Sequence, residues 1–293
     1  MTSRPLTTLA FSRRTGLLAL GGLALGGSVL AGCTSKPTVP TPSVSPSGPI
    51  RDQLQSAVST IAAGNDKLGV AVQDLRSGAQ WDFRGSWASQ SASMAKPMIV
   101  SMALRKARTD KLQQPLPAEQ AGQAEKAIEH SDNDSADALW DWAGRRPAYD
   151  ALARDLGLAH THSAEDKDFW SWSWTTPLDQ LSFLRQLVEG DTKALTADQR
   201  SYLLALMGQV QADQTWGVGA PLSNTVHVQM KNGWVQFKST DNLWAVNSIG
   251  HVQGDGRDYL LTMMTRMPSF DEGRAYCNAI GDWVFRILGS ELR

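Results

Sequence analysis

Ser91-Ala92-Ser93-Met94-Ala95-Lys96-Pro97-Met98-Ile99-Val100 places a serine three residues before a lysine at the start of an apolar run. Residues three apart share a helix face, so the Ser93 hydroxyl and the Lys96 amine are expected side by side. A lysine shielded from water can shed its charge and take the hydroxyl proton, which activates an otherwise weak nucleophile. Pro97 suits the first turn of a helix, where a backbone N–H has no intrahelical partner to lose. Ser93 is therefore expected at, or just inside, a helix N-terminus, where partial positive charge favours a developing oxyanion. The same spacing also occurs by chance on solvated surfaces, so the rest of the chain must decide.

Length and composition frame that decision. The chain has 293 residues, 42% apolar and 19% charged, which suits one globular domain of roughly 240 residues plus accessory segments. Arg13 and Arg14 precede an apolar, glycine-rich stretch, residues 16–30, that is too short for a comfortable membrane span. It ends in Leu30-Ala31-Gly32-Cys33, which resembles a bacterial lipobox with cleavage before Cys33 and lipid on its thiol. A plain secretory signal with a chance cysteine is the alternative, and the fit of the small residues before Cys33 argues against it. Ser12-Arg13-Arg14 also resembles a twin-arginine export signal, with Gly16 where a phenylalanine is usual, so Tat and Sec export both stay open. Removing residues 1–32, with their three arginines and no acids, leaves 25 basic against 29 acidic residues and no basic run to suit nucleic acid. Of the two cysteines, Cys277 would then have no partner and reads as a small buried apolar residue.

Residues 33–49 carry five prolines among small polar residues and read as an extended tether. The domain, 50–293, opens with a helix over 53–63, then strands over 68–75 and 80–83 joined by a turn. After the Ser93 helix come helices over 118–129, one capped by Asn133 or Asp134 and stopped by Gly144, and one from Thr176-Pro177 to Gly190. Thr196 and Gln199 form a capping box for another. Strands over 226–234, 243–252 and 259–266 and a helix over 271–288 close the chain. This order predicts an α+β fold: an antiparallel sheet flanked by N- and C-terminal helices, with an all-helical subdomain inserted.

Two more motifs follow Ser93-x-x-Lys96 in order: Ser131-Asp132-Asn133 between two helices, and Lys231-Asn232-Gly233 within a late strand. With them the sequence resembles the serine penicillin-recognising enzymes, the class A β-lactamases and penicillin-binding proteins, over most of 50–293. The resemblance implies that Ser93 is acylated, with Lys96 as its base, directly or through water. Ser131 would relay a proton to the leaving nitrogen, helped by Lys231, and Asn133 would bind the substrate amide and steady Lys96. The backbone N–H groups of Ser93 and Trp234 would form the oxyanion hole. Asp132 reads as a residue that pins its loop. No cofactor or metal is implied.

The departures from that family are informative. Asn232 stands where the family has threonine or serine, and Trp234 where it has a small residue. The two share strand parity and are expected to face the cleft with Gly233 between them. The family's deacylating glutamate sits in an E-x-x-x-N pattern. Here Glu165 or Asp166 could orient water, but neither has an asparagine four residues on, and a solvated loop acid is the simpler reading of each. His160 and His162 lack a nearby third ligand for a metal. Trp170, Trp172 and Trp174 would form either an aromatic wall or a packed loop. The expectation is an extracytoplasmic serine hydrolase, lipid-anchored at Cys33 and monomeric, acting on a β-lactam, cell-wall peptide or ester, with slow turnover. The alternative is an inactive envelope lipoprotein that binds peptidoglycan fragments or a partner protein.

Overall fold

A computed structural model describes residues 37–45, 47–190, 192–220 and 225–293. The lipobox with Cys33 and the export signal lie outside them. The strands are β1 (Leu68–Asp74), β2 (Gln80–Phe83), β3 (Ser89–Gln90), β4 (Trp174–Thr175), β5 (Val226–Gln236), β6 (Trp244–Gly254) and β7 (Arg257–Met267). Five of them form one antiparallel sheet in the order β2-β1-β7-β6-β5, and β3 pairs with β4 in a short ribbon. The helices are α1 (Ile50–Ile61), α2 (Lys96–Thr109), α3 (Ala118–Glu129), α4 (Asn133–Ala143), α5 (Arg145–Asp155), α6 (Pro177–Glu189), α7 (Ala197–Met207) and α8 (Phe270–Ile287). This is the architecture expected from the sequence, with the first hairpin and the last three strands joined edge to edge through the β1–β7 pair.

Alternation along the strands builds two cores, one on each face of the sheet. Ala71, Ile249, Leu260 and Met264 join the core made with α2 to α7, while Val70, Val72, Val246, Leu261 and Met263 join the one made with α1 and α8. Helix α2 is buried continuously from Lys96 to Leu104, so it is the centre of the helical insert rather than a surface helix with one wet face.

Three expectations change. The cap of α4 is Asp132, whose Oδ1 accepts the Ser135 N–H at 2.7 Å, not Asn133 or Asp134. Helix α5 was not expected. It starts immediately after Gly144, whose φ of 107° ends α4 and begins α5 with no intervening loop. Finally, the described part of the tether lies against the domain. Val39 and Val44 pack on the α1/α8 core and Pro42 is buried, so a stretch poor in core formers still contributes three apolar contacts.

Candidate active site

The segment before Ser93 is tied down from three sides. Asn247 on β6 donates from Nδ2 to Gln90 O (3.0 Å) and Ser91 O (3.2 Å), and its Oδ1 accepts the Thr265 N–H. Arg266 Nε on β7 donates to Ser89 Oγ at 3.0 Å, and Ser91 N donates to Ser173 O at 2.8 Å. So held, Ala92 takes a left-handed φ of 51° and starts a 3-10 turn, Ala92–Ala95, that runs directly into α2. Ser93 thus sits in a 3-10 turn, in which residues three apart eclipse one another. Strand β5 is the edge of the sheet and lies along this turn. A Cβ on Gly233 would fall 2.5 Å from Met94 N and 2.9 Å from Ser93 N, so only glycine permits the approach.

Below Ser93, the motif residues converge. Lys96 Nζ donates to Ser131 O (2.5 Å), Ser131 Oγ (3.1 Å) and Asn133 Oδ1 (2.9 Å). Lys231 Nζ reaches the same Ser131 Oγ at 3.0 Å and Asn232 O at 3.1 Å. Ser131 can offer both its carbonyl and its hydroxyl because its φ is 57°, a left-handed value held by the turn into α4. Both lysines are fully buried. Burial pulls the Lys96 amine down to about 7, against the opposing pull of Asp132 and Asp137. Burial and the neighbouring Lys96 charge pull Lys231 well below its ordinary value. A neutral Lys96 keeps two N–H donors for Ser131 O and Asn133 Oδ1, and its lone pair then faces the Ser131 hydroxyl at 3.1 Å.

Above them a cleft of about 220 Å³ is lined by Ser93, Asn133, Asp137, Phe169, Trp170 and Trp234. Trp170 lies over the Lys96 amine, 4.9 Å from ring centroid to Nζ, and donates its indole N–H to Asp137 Oδ1 at 2.6 Å. Trp234 packs against Trp216 and Phe270 at centroid separations of 6.0 and 5.8 Å. Trp172 instead packs edge-on against Phe237, and Trp174 lies in the β3–β4 ribbon, so the tryptophan triplet supplies one cleft residue.

Several other sequence-derived candidates are not brought to the cleft. Asn232, expected to face it, is fully buried and donates from Nδ2 to Gln214 O (2.8 Å) and Trp216 O (3.0 Å), which anchors the chain under Trp234. Glu165 and Asp166 are exposed. The Glu165 backbone carbonyl accepts from Arg146 and the Asp166 carboxylate pairs with Lys167 at 3.5 Å, and neither residue is among those that line the cleft. His162 Nδ1 bonds Ser163 O, and His160 donates its backbone N–H to Asp179 Oδ2. Cys277 is buried and its thiol is pushed up to about 12 by desolvation. The sequence reading passed over Asp137 and Asn247. Asp137 had a signal: it follows Asn133 by four residues and so shares its helix face.

A family profile described as the beta-lactamase enzyme family matches residues 121–288. Among solved structures, a representative class A beta-lactamase from Bacteroides cellulosilyticus superposes with a TM-score of 0.70 at 16% identity, over 83% of this chain and 100% of that one. A beta lactamase from Xanthomonas campestris gives 0.69 at 20% identity, over 82% and 99% of the two chains. PBP-A gives 0.69 at 19% identity, over 83% and 98%. Comparison with curated protein sequences gives no match.

Proposed function

The chain belongs to the beta-lactamase enzyme family as a serine hydrolase of the β-lactamase and penicillin-binding type, and from that membership, together with the Leu30-Ala31-Gly32-Cys33 lipobox, we propose that it works outside the cytoplasm, anchored by lipid on Cys33, as a monomer acylated at Ser93. Its substrate is a β-lactam, a cell-wall peptide or an ester. The observation that carries this reading is the Lys96–Ser131–Lys231 chain, in which one hydroxyl lies within 3.1 Å of two buried amines. Neutral Lys96 takes the Ser93 proton as Oγ attacks the carbonyl carbon. The developing oxyanion is met by the backbone N–H groups of Ser93 and Trp234, which Gly233 allows to approach each other. Ser131 then passes its proton to the leaving nitrogen and is resupplied by the lysines on either side. A variant of PBP-A, a structural neighbour, has been solved as an acyl-enzyme complex with penicillin G, which makes that compound the first substrate to try.

The protein is incubated with penicillin G and with an activated ester, and its intact mass is followed. An adduct that forms on wild type and is absent from Ser93→Ala is the expected result. Absence of both adduct and turnover, or an adduct that survives the substitution, defeats the reading. One observation favours the non-catalytic envelope-lipoprotein alternative: the Asn232 amide is turned to Gln214 O and Trp216 O, so it does not help hold a substrate carboxylate. Unchanged binding of cell-wall fragments by Ser93→Ala and Lys96→Ala proteins that form no adduct would support it.

A further inference from the structure

Hydrolysis of an acylated Ser93 needs a group to take a proton from water, and the two loop acids that the sequence suggested do not line its cleft. Asp137 is differently placed. Asn133 and Asp137 stand one turn apart on one face of α4. Asn133 spends Oδ1 on the Lys96 amine, and Asp137 lines the Ser93 cleft beside it. Trp170 fixes Asp137 Oδ1 through its indole N–H and covers the Lys96 amine with its ring, so carboxylate, indole and amine form one connected wall. Asp137 is exposed to solvent in the cleft, and its Oδ2 makes no hydrogen bond among the described residues. That oxygen is open to water. The Asp137 charge is also felt at Lys96, where it offsets part of the effect of burial.

We propose that Asp137 is the general base that hydrolyses the Ser93 acyl-enzyme. The carboxylate accepts one proton from a water molecule whose oxygen bonds to the acyl carbonyl carbon. The bond from that carbon to Ser93 Oγ then breaks. The proton held by Asp137 returns to Oγ through Lys96, which leaves a free serine, an ionised Asp137 and a carboxylic acid product. Trp170 is a positioning residue in this scheme: it aims the carboxylate and narrows the approach of water to the side where Asp137 stands.

This inference rests on acylation at Ser93, and the test separates the two. Full-length wild type and Asp137→Asn are acylated with the compound that gives an adduct, excess reagent is removed, and loss of the adduct is followed by mass across a pH series. Asparagine can still accept the Trp170 N–H, so the substitution removes the base while the wall can remain. Asp137→Asn is expected to form the adduct and hold it about a hundredfold longer or more, the usual worth of a general base. Hydroxylamine, a nucleophile that needs no base at neutral pH, should shorten the lifetime of the Asp137→Asn adduct. Equal lifetimes for the two proteins, including a wild-type adduct that itself persists, overturn the role of Asp137 and leave acylation standing. No adduct on wild type defeats acylation at Ser93 and this inference with it.

Discussion

An amine whose value has been pulled to about 7 is half neutral in ordinary buffer, and that fraction is the base available to Ser93. The rate of acylation should therefore rise with pH, reach half its plateau near pH 7 and level off above it. Asp132 raises the Lys96 value, so Asp132→Asn should move the rising limb to lower pH, while the asparagine carbonyl can still cap α4. A pH series of adduct formation for the two proteins checks both the limb and the direction of its shift; a limb that stays put would separate Lys96 from the proton transfer. Much of this pocket was legible in sequence, because Ser93, Lys96, Ser131, Asn133 and Lys231 belong to short motifs whose spacing is local. The orientation of Asn232 was not, because strand parity says which face a side chain takes but not whether that face is cleft or core. Here the Gln214–Trp216 segment covers it. Asp137 lies outside the three motifs, so its spacing from Asn133 was the only sequence signal, and what ties it to the cleft is Trp170, 33 residues away in sequence.

Strand β5 and the Ser93 turn meet without side chains between them at Gly233. A methyl group there has backbone atoms, not flexible side-chain ends, within 3 Å on the turn side, so the edge strand must move away. Gly233→Ala should destabilise by about 1–3 kcal/mol, as overpacking does, and should slow acylation by a much larger factor, because the two N–H groups of the oxyanion site separate. Thermal melting and the rate of adduct formation give the comparison; a variant that loses stability and keeps its rate would show that this approach is structural only. Elements with strong end signals were readable from sequence: the Thr196 capping box is present on α7, and Thr176 and Gly190 bound α6 as expected. Helix α5 escaped because its start carries no cap signal, although Tyr149, Leu152, Ala153 and Leu156 keep helical spacing and Gly157 follows them. It begins Arg145-Arg146-Pro147 with no side-chain cap, and among its residues only Tyr149, Leu152 and Ala153 are buried.

Across the whole domain, the first and last described segments are fastened to the α1/α8 side of the sheet. Asp74, at the end of β1, is fully buried. It accepts from Arg76 Nη2 (2.7 Å) and from the Leu292 N–H (2.9 Å), while Arg76 donates to Leu288 O and Ser77 to Leu292 O. Burial pushes the Asp74 carboxyl up, but these donors outweigh it and hold the value below the ordinary 3.8. The stability contributed by this lowered value is present above 3.8 and is lost as the pH falls through the folded value. Asp74→Ala should cost about 3 kcal/mol at neutral pH, the loss expected when one partner of a buried pair is removed, and the difference from wild type should shrink in acid. Urea unfolding at neutral pH and below pH 3 measures both. The other end is held more lightly, by Val39, Pro42 and Val44. If lipid on Cys33 anchors the chain, a pull on the N-terminus would meet Val39, Pro42 and Val44 before it meets α1. That apolar seam lies across the sheet from the core that holds Met94, so such a pull would be taken up away from Ser93 and Lys96.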